Sequence, residues 1–230
     1  MSTLLITGAN RGIGLELVKV FAGKGWRVLA CCRRPEVATE LQSLAAAASG
    51  VTIHRLEVTD GGQIAALATE LAGTPIDILL NNAGIKGPKQ QGFGQSDEEG
   101  WLETFRVNTI APMRLTEALV EQVAASERRI VATLGTVMGS IAENSSGGYY
   151  AYRTSKAAVH MLMKGLAIDL AARGILTVSL HPGWVRTSMG GKSAPVAPAE
   201  SAAGLAEVLL GLTPEQSGGL YDFEGKERPW

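Results

Sequence analysis

Short apolar runs alternate along the chain with longer stretches in which apolar residues recur at helical spacing. The short runs predict buried strands, and the longer stretches predict helices that cover them. The predicted strands are Thr3–Thr7, Arg27–Cys32, Val51–Glu57, Ile76–Asn81, Arg129–Leu134, Leu176–His181 and Leu220–Phe223. The predicted helices are Gly14–Ala22, Glu36–Ala48, Gly62–Ala72, Asp97–Ala124, Ser155–Arg173 and Ala199–Leu210. This alternation predicts an α/β fold, a doubly wound, seven-stranded parallel sheet with helices on both faces.

The composition fits a chain that buries a full hydrophobic core. Hydrophobic residues make up 46% and charged residues 19% of the 230 positions, which predicts a single folded domain over residues 1–230. The formal net charge is −1 with both signs scattered, so no nucleic acid or anionic membrane is expected as a partner. No apolar run reaches the roughly 18 residues that span a bilayer, and we see no signal peptide. The adjacent Cys31 and Cys32 suit reduced thiols, and we expect a cytoplasmic location.

A glycine-rich turn, Thr7-Gly-Ala-Asn-Arg-Gly-Ile-Gly14, connects the first predicted strand to the first predicted helix. Its glycines have the spacing G-x-x-x-G-x-G, which differs from the dinucleotide fingerprint G-x-G-x-x-G. Glycines here allow a tight turn and let a pyrophosphate approach the backbone at the N-terminus of a helix. The position between a strand and a helix therefore predicts a dinucleotide site, and a plain tight turn is the alternative.

Two arginines follow the second predicted strand, in Cys31-Cys-Arg-Arg34, and no carboxylate occurs there before Glu36. In dinucleotide-binding folds a carboxylate at this point binds the adenosine ribose 2′-hydroxyl, whereas an arginine accommodates a 2′-phosphate. Guanidinium groups bind phosphate through charge-assisted, often bidentate hydrogen bonds. We therefore predict that NADP(H) is preferred over NAD(H), with Arg33 as the main contact and Arg11 and Arg34 in support. The alternative is a solvated basic pair in a loop.

Tyr152 and Lys156 lie four residues apart, in Tyr152-Arg-Thr-Ser-Lys156, where a long predicted helix opens. Residues at this spacing share one helix face, so we expect the lysine ammonium near the tyrosine oxygen. A nearby positive charge lowers the pKa of a tyrosine from its free value of about 10. Such a tyrosine can exchange a proton with a substrate oxygen near neutral pH. The spacing predicts a catalytic pair, although it also occurs on ordinary surface helices.

With three further motifs in the expected order, the sequence resembles the short-chain dehydrogenase/reductase family over essentially its whole length. These motifs are Asn81-Asn-Ala-Gly84, Arg106-Val-Asn-Thr109 and His181-Pro-Gly-Trp-Val-Arg-Thr187. The stretches Met138–Ala142, Gly147–Lys156 and Gly218–Trp230 look most similar to small carbonyl reductases of the C-factor and sniffer-like subgroup. The resemblance implies a Rossmann fold, a nicotinamide cofactor, and a homodimer or homotetramer in which long helices pair between subunits.

The resemblance also implies where the cofactor binds. Asn82–Gly84 would border the adenosine and the central ribose, and Glu57 and Val58 would meet the adenine. The nicotinamide end would be held by Pro182, Gly183, Val185 and Thr187. The family more often has Asp at position 57. The complete set of predicted cofactor contacts is Gly8, Asn10, Arg11, Gly12, Ile13, Gly14, Arg33, Arg34, Glu57, Val58, Asn82, Ala83, Gly84, Tyr152, Lys156, Pro182, Gly183, Val185 and Thr187.

A proton relay is implied as well. Lys156 would bind the nicotinamide ribose, and Asn108 would hold a water in a relay that reaches Lys156. The alternative for Asn108 is a buried amide bonded to helix backbone.

The turn after the fifth predicted strand departs from the subgroup. The subgroup usually reads Ser-Ser-x-Met-Gly-Ser there, and its second serine is the catalytic hydroxyl that orients the substrate. This chain reads Gly135-Thr-Val-Met-Gly-Ser140, which places Thr136 at the position of that serine. Threonine keeps a hydroxyl that can donate, but its methyl group stiffens the side chain. Thr136 is the predicted hydroxyl; Ser140, or an impaired enzyme, are the alternatives.

These features together predict an NADPH-dependent carbonyl reductase that converts a small hydrophobic ketone or aldehyde reversibly to the alcohol. The predicted catalytic residues are Tyr152, Lys156, Thr136 and Asn108. The predicted substrate-side residues, which could equally be ordinary core, are Met138, Tyr149, Trp184 and Met189. The three histidines are too dispersed to predict a metal site. The alternatives are a cofactor-binding signalling protein with weak or no reductase activity, and a sugar-nucleotide epimerase, which usually needs a further substrate domain.

Overall fold

The computed structural model describes residues 1–230 and confirms the doubly wound α/β fold. All seven strands are parallel and lie in one sheet, in the order β3-β2-β1-β4-β5-β6-β7. They are β1 (Thr3–Thr7), β2 (Arg27–Cys32), β3 (Val51–Arg55), β4 (Ile78–Asn81), β5 (Ile130–Leu134), β6 (Leu176–His181) and β7 (Leu220–Asp222). The order changes direction between β1 and β4, and ligands of such sheets bind outside the carboxyl ends of the strands at that point.

Seven α-helices cover the two faces of the sheet. They are α1 (Gly12–Gly23), α2 (Thr39–Ala47), α3 (Gly61–Glu70), α4 (Glu98–Phe105), α5 (Ala111–Ala124), α6 (Tyr150–Asp169) and α7 (Pro198–Leu210). One hydrophobic core includes residues of α1, α2 and α7, and the other includes residues of α3, α5 and α6. Successive residues of a strand point to opposite faces, so Leu4 and Ile6 enter the first core and Leu5 enters the second.

Two predicted helix boundaries near the carboxyl edge of the sheet were wrong. The predicted helix Asp97–Ala124 is interrupted by a π-helical turn, Arg106–Ile110, which separates α4 from α5. Helix α6 begins at Tyr150 and not at Ser155. Its first turn is held by hydrogen bonds from a segment far away in sequence, which local patterns do not reveal. Strand β3 also ends at Arg55, before Glu57.

No helix combines the length and the apolar character needed to cross a bilayer. No group of three or more His, Cys, Asp or Glu side chains is arranged to hold a metal ion.

Candidate active site

One large cleft lies at the carboxyl edge of the sheet, where the sequence motifs meet. Its volume is about 470 Å³. The predicted cofactor contacts on its wall are Gly8, Asn10, Arg11, Gly12, Ile13, Gly14, Arg33, Arg34, Glu57, Val58, Asn82, Ala83, Gly84, Tyr152, Lys156, Pro182 and Thr187. The wall also contains residues that the sequence did not predict as cofactor contacts: Cys32, Val37, Leu56, Ile85, Glu103, Val107, Leu134, Gly135 and Ser188. Glycine-turn, arginine and tyrosine motifs from distant parts of the chain therefore share one cavity.

Two predicted cofactor contacts do not belong to this wall. Val185 is buried and pairs with Val196 in a short bridge. Gly183 has a positive φ of 83°, and a side chain there would press on the ring of Phe223. The Pro182–Thr187 loop thus reaches the cleft through its two ends.

The glycine turn between β1 and α1 presents backbone to the cleft. Gly8 and Gly12 adopt positive φ values of 65° and 56°, which favour glycine. A Cβ at Gly14 would overlap the Gly8 carbonyl oxygen, so the start of α1 approaches the turn too closely for any side chain. No side chain caps α1 at Arg11. The first N–H groups of the helix therefore form a site suited to an anion.

Asn82 fixes this turn against the end of β4. Its Nδ2 donates to the carbonyl oxygens of Thr7 at 2.7 Å and Gly8 at 3.1 Å. The Ala83 N–H donates to the Thr7 hydroxyl at 3.0 Å. The Asn82–Ala83 pair therefore shapes the cofactor turn in addition to bordering the cleft.

Arg33 lies exposed at the rim and faces a carboxylate. Its Nη1 is 3.6 Å from Oε2 of Glu57, whose Oε1 accepts hydrogen bonds from the backbone N–H and the hydroxyl of Thr59. An exposed ion pair of this kind contributes little stability, so Arg33 can exchange the carboxylate for a phosphate at small cost. Arg11 and Arg34 line the same cleft.

Tyr152 and Lys156 lie in the first turns of α6. The Lys156 Nζ is 5.9 Å from the centroid of the Tyr152 ring, and it donates to the carbonyl oxygen of Leu134 at 2.6 Å. Burial lowers the pKa of Lys156 to about 8, which still leaves the amine mostly charged at neutral pH. The anchor at Leu134 connects the helix to the end of β5.

The pKa of Tyr152 is raised, whereas the sequence predicted that the neighbouring lysine would lower it. Burial raises the pKa of Tyr152 to about 12, because the loss of hydration disfavours the phenolate. The phenol is therefore protonated at neutral pH. A protonated phenol in a cleft is equipped to donate a proton.

Asn108 occupies the π-helical turn and bonds to the loop after β4. Its Oδ1 accepts from the Ile85 N–H at 2.9 Å, and its Nδ2 donates to the Ile85 carbonyl at 2.9 Å and to the Ser155 hydroxyl at 3.0 Å. A Cβ at Gly84 would lie 3.2 Å from Oδ1 and 3.7 Å from the Lys156 Nζ. Asn108 and Lys156 therefore converge on Gly84, and one acceptor position of Oδ1 remains available.

The two candidate hydroxyls lie in different settings. The Thr136 Oγ1 accepts from the Met138 N–H at 3.2 Å and begins the 3-10 turn Val137–Gly139. The Ser140 Oγ accepts from the Glu143 N–H at 3.1 Å, beyond that turn. Both residues are buried, and neither belongs to the cleft wall. Thr136 directly follows Gly135, which does.

Gln91 is a residue of the site that the sequence did not reveal. Its Oε1 accepts from the Tyr152 N–H at 2.9 Å, and its main-chain oxygen accepts from the Tyr150 N–H. Its Nε2 donates to the carbonyls of Lys86 and Pro88, both at 2.7 Å. Gln91 therefore caps the helix that carries Tyr152 and stiffens the neighbouring loop. No local motif marks a cap that acts over 61 residues of sequence.

The predicted substrate-side residues lie mostly near the surface. Trp184 is 56% exposed, and its Nε1 donates to the Gly190 carbonyl at 2.8 Å. Tyr149 and Met189 are also exposed, and Met189 lines the cleft. Met138 is half-buried. The three exposed side chains are therefore not ordinary core.

The match to known proteins agrees with this geometry. A family model described as short chain dehydrogenase matches residues 2–196. The chain belongs to this family, and it is an oxidoreductase.

Individual relatives narrow the assignment. C-signal of Myxococcus xanthus is 42% identical over 165 residues, which cover 72% of this chain and 99% of C-signal. The carbonyl reductase Sniffer of D. melanogaster has a TM-score of 0.96 at 33% identity, with both chains fully covered. An NADPH-bound carbonyl reductase from chicken fatty liver has a TM-score of 0.94 at 34% identity, covering 100% of this chain and 99% of that protein. The predicted resemblance to the C-factor and sniffer-like subgroup is confirmed.

Proposed function

We propose that this oxidoreductase is an NADPH-dependent carbonyl reductase, which reduces a small hydrophobic ketone or aldehyde reversibly to the alcohol. The observation that carries the proposal is that Tyr152, Lys156 and the glycine turn share the wall of one cleft. A proton donor and a turn suited to bind a dinucleotide therefore line the same cavity. The likeness to carbonyl reductases, one of them with NADPH bound, supports the same function.

The residues of the cleft fit NADPH. The uncapped N-terminus of α1 and the glycine turn suit a pyrophosphate, since backbone N–H groups are offered without an obstructing side chain. Arg33, supported by Arg11 and Arg34, suits the 2′-phosphate. Lys156 and Thr187 would hold the nicotinamide half. When bound, NADPH supplies the hydride for the carbonyl carbon.

Tyr152 is the proton donor in this proposal. Its raised pKa keeps the phenol protonated, so the O–H can donate to the carbonyl oxygen as negative charge develops there. The substrate oxygen gains the proton that the tyrosine oxygen loses. The charged Lys156 then stabilises the resulting phenolate, and Asn108 offers a free acceptor position to a water that returns a proton.

Thr136 orients the substrate carbonyl. Because its Oγ1 accepts from the Met138 N–H, the hydroxyl hydrogen is free to donate. Its neighbour Gly135 lines the cleft, which places Thr136 beside the cavity in sequence. Ser140 is directed instead to the following loop through its bond with Glu143.

Three exposed apolar side chains favour an uncharged, hydrophobic substrate. Exposed Tyr149, Trp184 and Met189 lie on the loops beside the catalytic helix and after β6. Of these three residues, Met189 lines the cleft, and exposed apolar surface beside a cavity is typical of a binding site. Aryl ketones, diketones and quinones are therefore the substrate classes to test first.

The second candidate function is a cofactor-binding signalling protein with weak or no reductase activity. Threonine at the serine position and the likeness to C-signal favour it. Loss of NADPH absorbance in the presence of a panel of aryl ketones, diketones and quinones separates the two functions. The reductase proposal expects turnover with at least one class. Binding of NADPH without oxidation across the whole panel would support the signalling protein.

We also propose a homodimer or homotetramer. Ile110, Met161 and Ile168 are exposed on the long helical segments that the sequence predicts to pair between subunits. Light scattering after size-exclusion chromatography would detect a monomer and so contradict this assembly. The domain extent of 1–230 and the cytoplasmic location stay predictions.

A further inference from the structure

A buried histidine lies directly behind the catalytic turn. His160 is one helical turn beyond Lys156 on α6 and is 3% exposed. Its Nε2 accepts a hydrogen bond from the backbone N–H of Thr136 at 3.3 Å. The residue proposed to orient the substrate is thus held from behind by an imidazole.

The turn is shaped to receive this ring. A Cβ at Gly135 would lie 2.5 Å from the His160 Nε2, and a Cβ at Gly139 would lie 2.7 Å from its Cε1. A real Cβ does not approach another heavy atom this closely, so glycine at 135 and 139 leaves room for the imidazole. The ring fills the space between α6 and the turn.

The contact also defines the protonation state of the ring. Because Nε2 accepts the Thr136 N–H, the neutral imidazole carries its hydrogen on Nδ1. Burial, with help from the Lys156 charge, lowers the pKa of His160 to about 3. The acceptor is therefore present throughout the neutral range.

Trp230, in the segment Arg228–Trp230, packs against the His160 ring. The Trp230 ring is 5.2 Å from the His160 ring, centroid to centroid, at an angle of 49°. The Trp230 carbonyl accepts from the Ala142 N–H at 2.9 Å, and Arg228 forms a 2.8 Å ion pair with Glu143. The segment is therefore tied to the loop that continues from the catalytic turn.

We propose that His160, held in place by Trp230, is a positioning residue. It accepts a hydrogen bond from the backbone N–H of Thr136 and thereby fixes the position of the Thr136 hydroxyl. This proposal rests on the proposed role of Thr136 in carbonyl reduction. A displacement of about 1 Å in a catalytic group costs up to about 100-fold in rate, so the acceptor at Nε2 has a direct kinetic consequence.

The test compares two substitutions of His160 that differ in the acceptor. Gln can place its Oε1 near the position of Nε2, whereas Leu fills similar space without an acceptor. We expect His160→Leu to lower kcat about 10- to 100-fold with unchanged NADPH affinity, and His160→Gln to recover most of that loss. Met163→Ala is the matched control, because it removes a buried side chain of the same helix that packs in the core. It should lower the melting temperature and leave kcat near normal.

The Thr136→Ala variant separates this proposal from the one it depends on. If Thr136→Ala is crippled but His160→Leu turns over normally, the positioning role is wrong and the reductase proposal stands. Equal impairment of His160→Gln and His160→Leu would also overturn the role of the acceptor. If Thr136→Ala is fully active, the proposed function of Thr136 fails instead.

Trp230 gives an independent check. Trp230→Ala should lower kcat in the same sense as His160→Leu but by less, whereas Trp230→Phe keeps a ring against His160 and should be near normal. Normal kcat in Trp230→Ala would remove the Trp230 part of the proposal.

Discussion

The nucleotide half and the catalytic half of the cleft are built in different ways. The nucleotide half uses backbone groups that are consecutive in sequence, in the glycine turn before α1. The catalytic half uses side chains held by distant segments: Tyr152 by Gln91, Lys156 by Leu134 and Asn108 by Ile85. Substitutions in the nucleotide half should therefore weaken cofactor binding, because they change the shape of the turn. Substitutions in the catalytic half should lower kcat, because they misalign the side chains.

Removal of the Tyr152 hydroxyl should cause the largest fall in kcat. It should leave NADPH binding unchanged, so that catalysis is lost while the nucleotide half stays intact. Tyr152→Phe keeps the ring but removes the proton donor, so kcat should fall by about 10²- to 10⁴-fold. NADPH titration by fluorescence should give an unchanged Kd, because the glycine turn is untouched. Tyr150→Phe, two residues earlier on the same helix, is the control and should be near normal. Near-normal turnover in Tyr152→Phe would refute the catalytic role.

Removal of the Thr136 hydroxyl should have the second-largest effect on kcat, and comparison with Ser140 tests which hydroxyl orients the substrate. Thr136→Ala should lower kcat about 100-fold, since it removes a donor to the developing oxyanion. Thr136→Ser should retain or raise activity, because the hydroxyl stays and the methyl group leaves. Steady-state kinetics of Ser140→Ala provide the comparison. A harmless alanine at 136 together with a crippling one at 140 would assign the role to Ser140.

Arg33 tests the nucleotide half alone. Arg33→Asp replaces charge-assisted hydrogen bonds worth about 1.5–3 kcal/mol, so the preference for NADPH over NADH should fall roughly 10- to 100-fold. The kcat at saturating NADPH should stay the same. Arg55→Asp, at the exposed end of β3 and outside the cleft wall, controls for the change in net charge. An unchanged ratio of kcat/KM for the two cofactors would contradict the phosphate assignment.

Gln91 tests whether the position of Tyr152 affects the rate when the catalytic groups themselves are unchanged. Its substitution should cause the smallest fall in kcat. Gln91→Ala removes a helix cap, which should cost about 1 kcal/mol in the free energy of unfolding measured with urea. Because the capped turn carries Tyr152, kcat should also fall, by less than in the tyrosine variant. Gln90→Ala is the control, since that neighbour is exposed. Loss of stability without any loss of kcat would show that the cap does not align the tyrosine.

The sequence predicted the fold and the nucleotide half well for a physical reason. The strands are apolar runs and the glycine turn is a local motif, so short stretches of sequence contain most of the signal. Gln91 and His160 carried no such signal, because their roles arise from contacts with Tyr152 and Thr136 that exist only after folding. The sequence predicted a lowered pKa for Tyr152, whereas burial raises it. Helical spacing reveals a neighbouring charge but not the degree of burial.

The bond from Asn82 to the glycine turn has a consequence for the order in which the site forms. Asn82 joins Thr7 across 75 residues of sequence, and this contact requires β4 to pair with β1. Long-range parallel pairing is slow, and chains are synthesised from the N-terminus. A nascent chain shorter than about 82 residues therefore holds the glycine turn without its support. The glycine turn therefore gains the support of Asn82 only once β4 has paired with β1, and Tyr152 gains that of Gln91 only once α6 has formed.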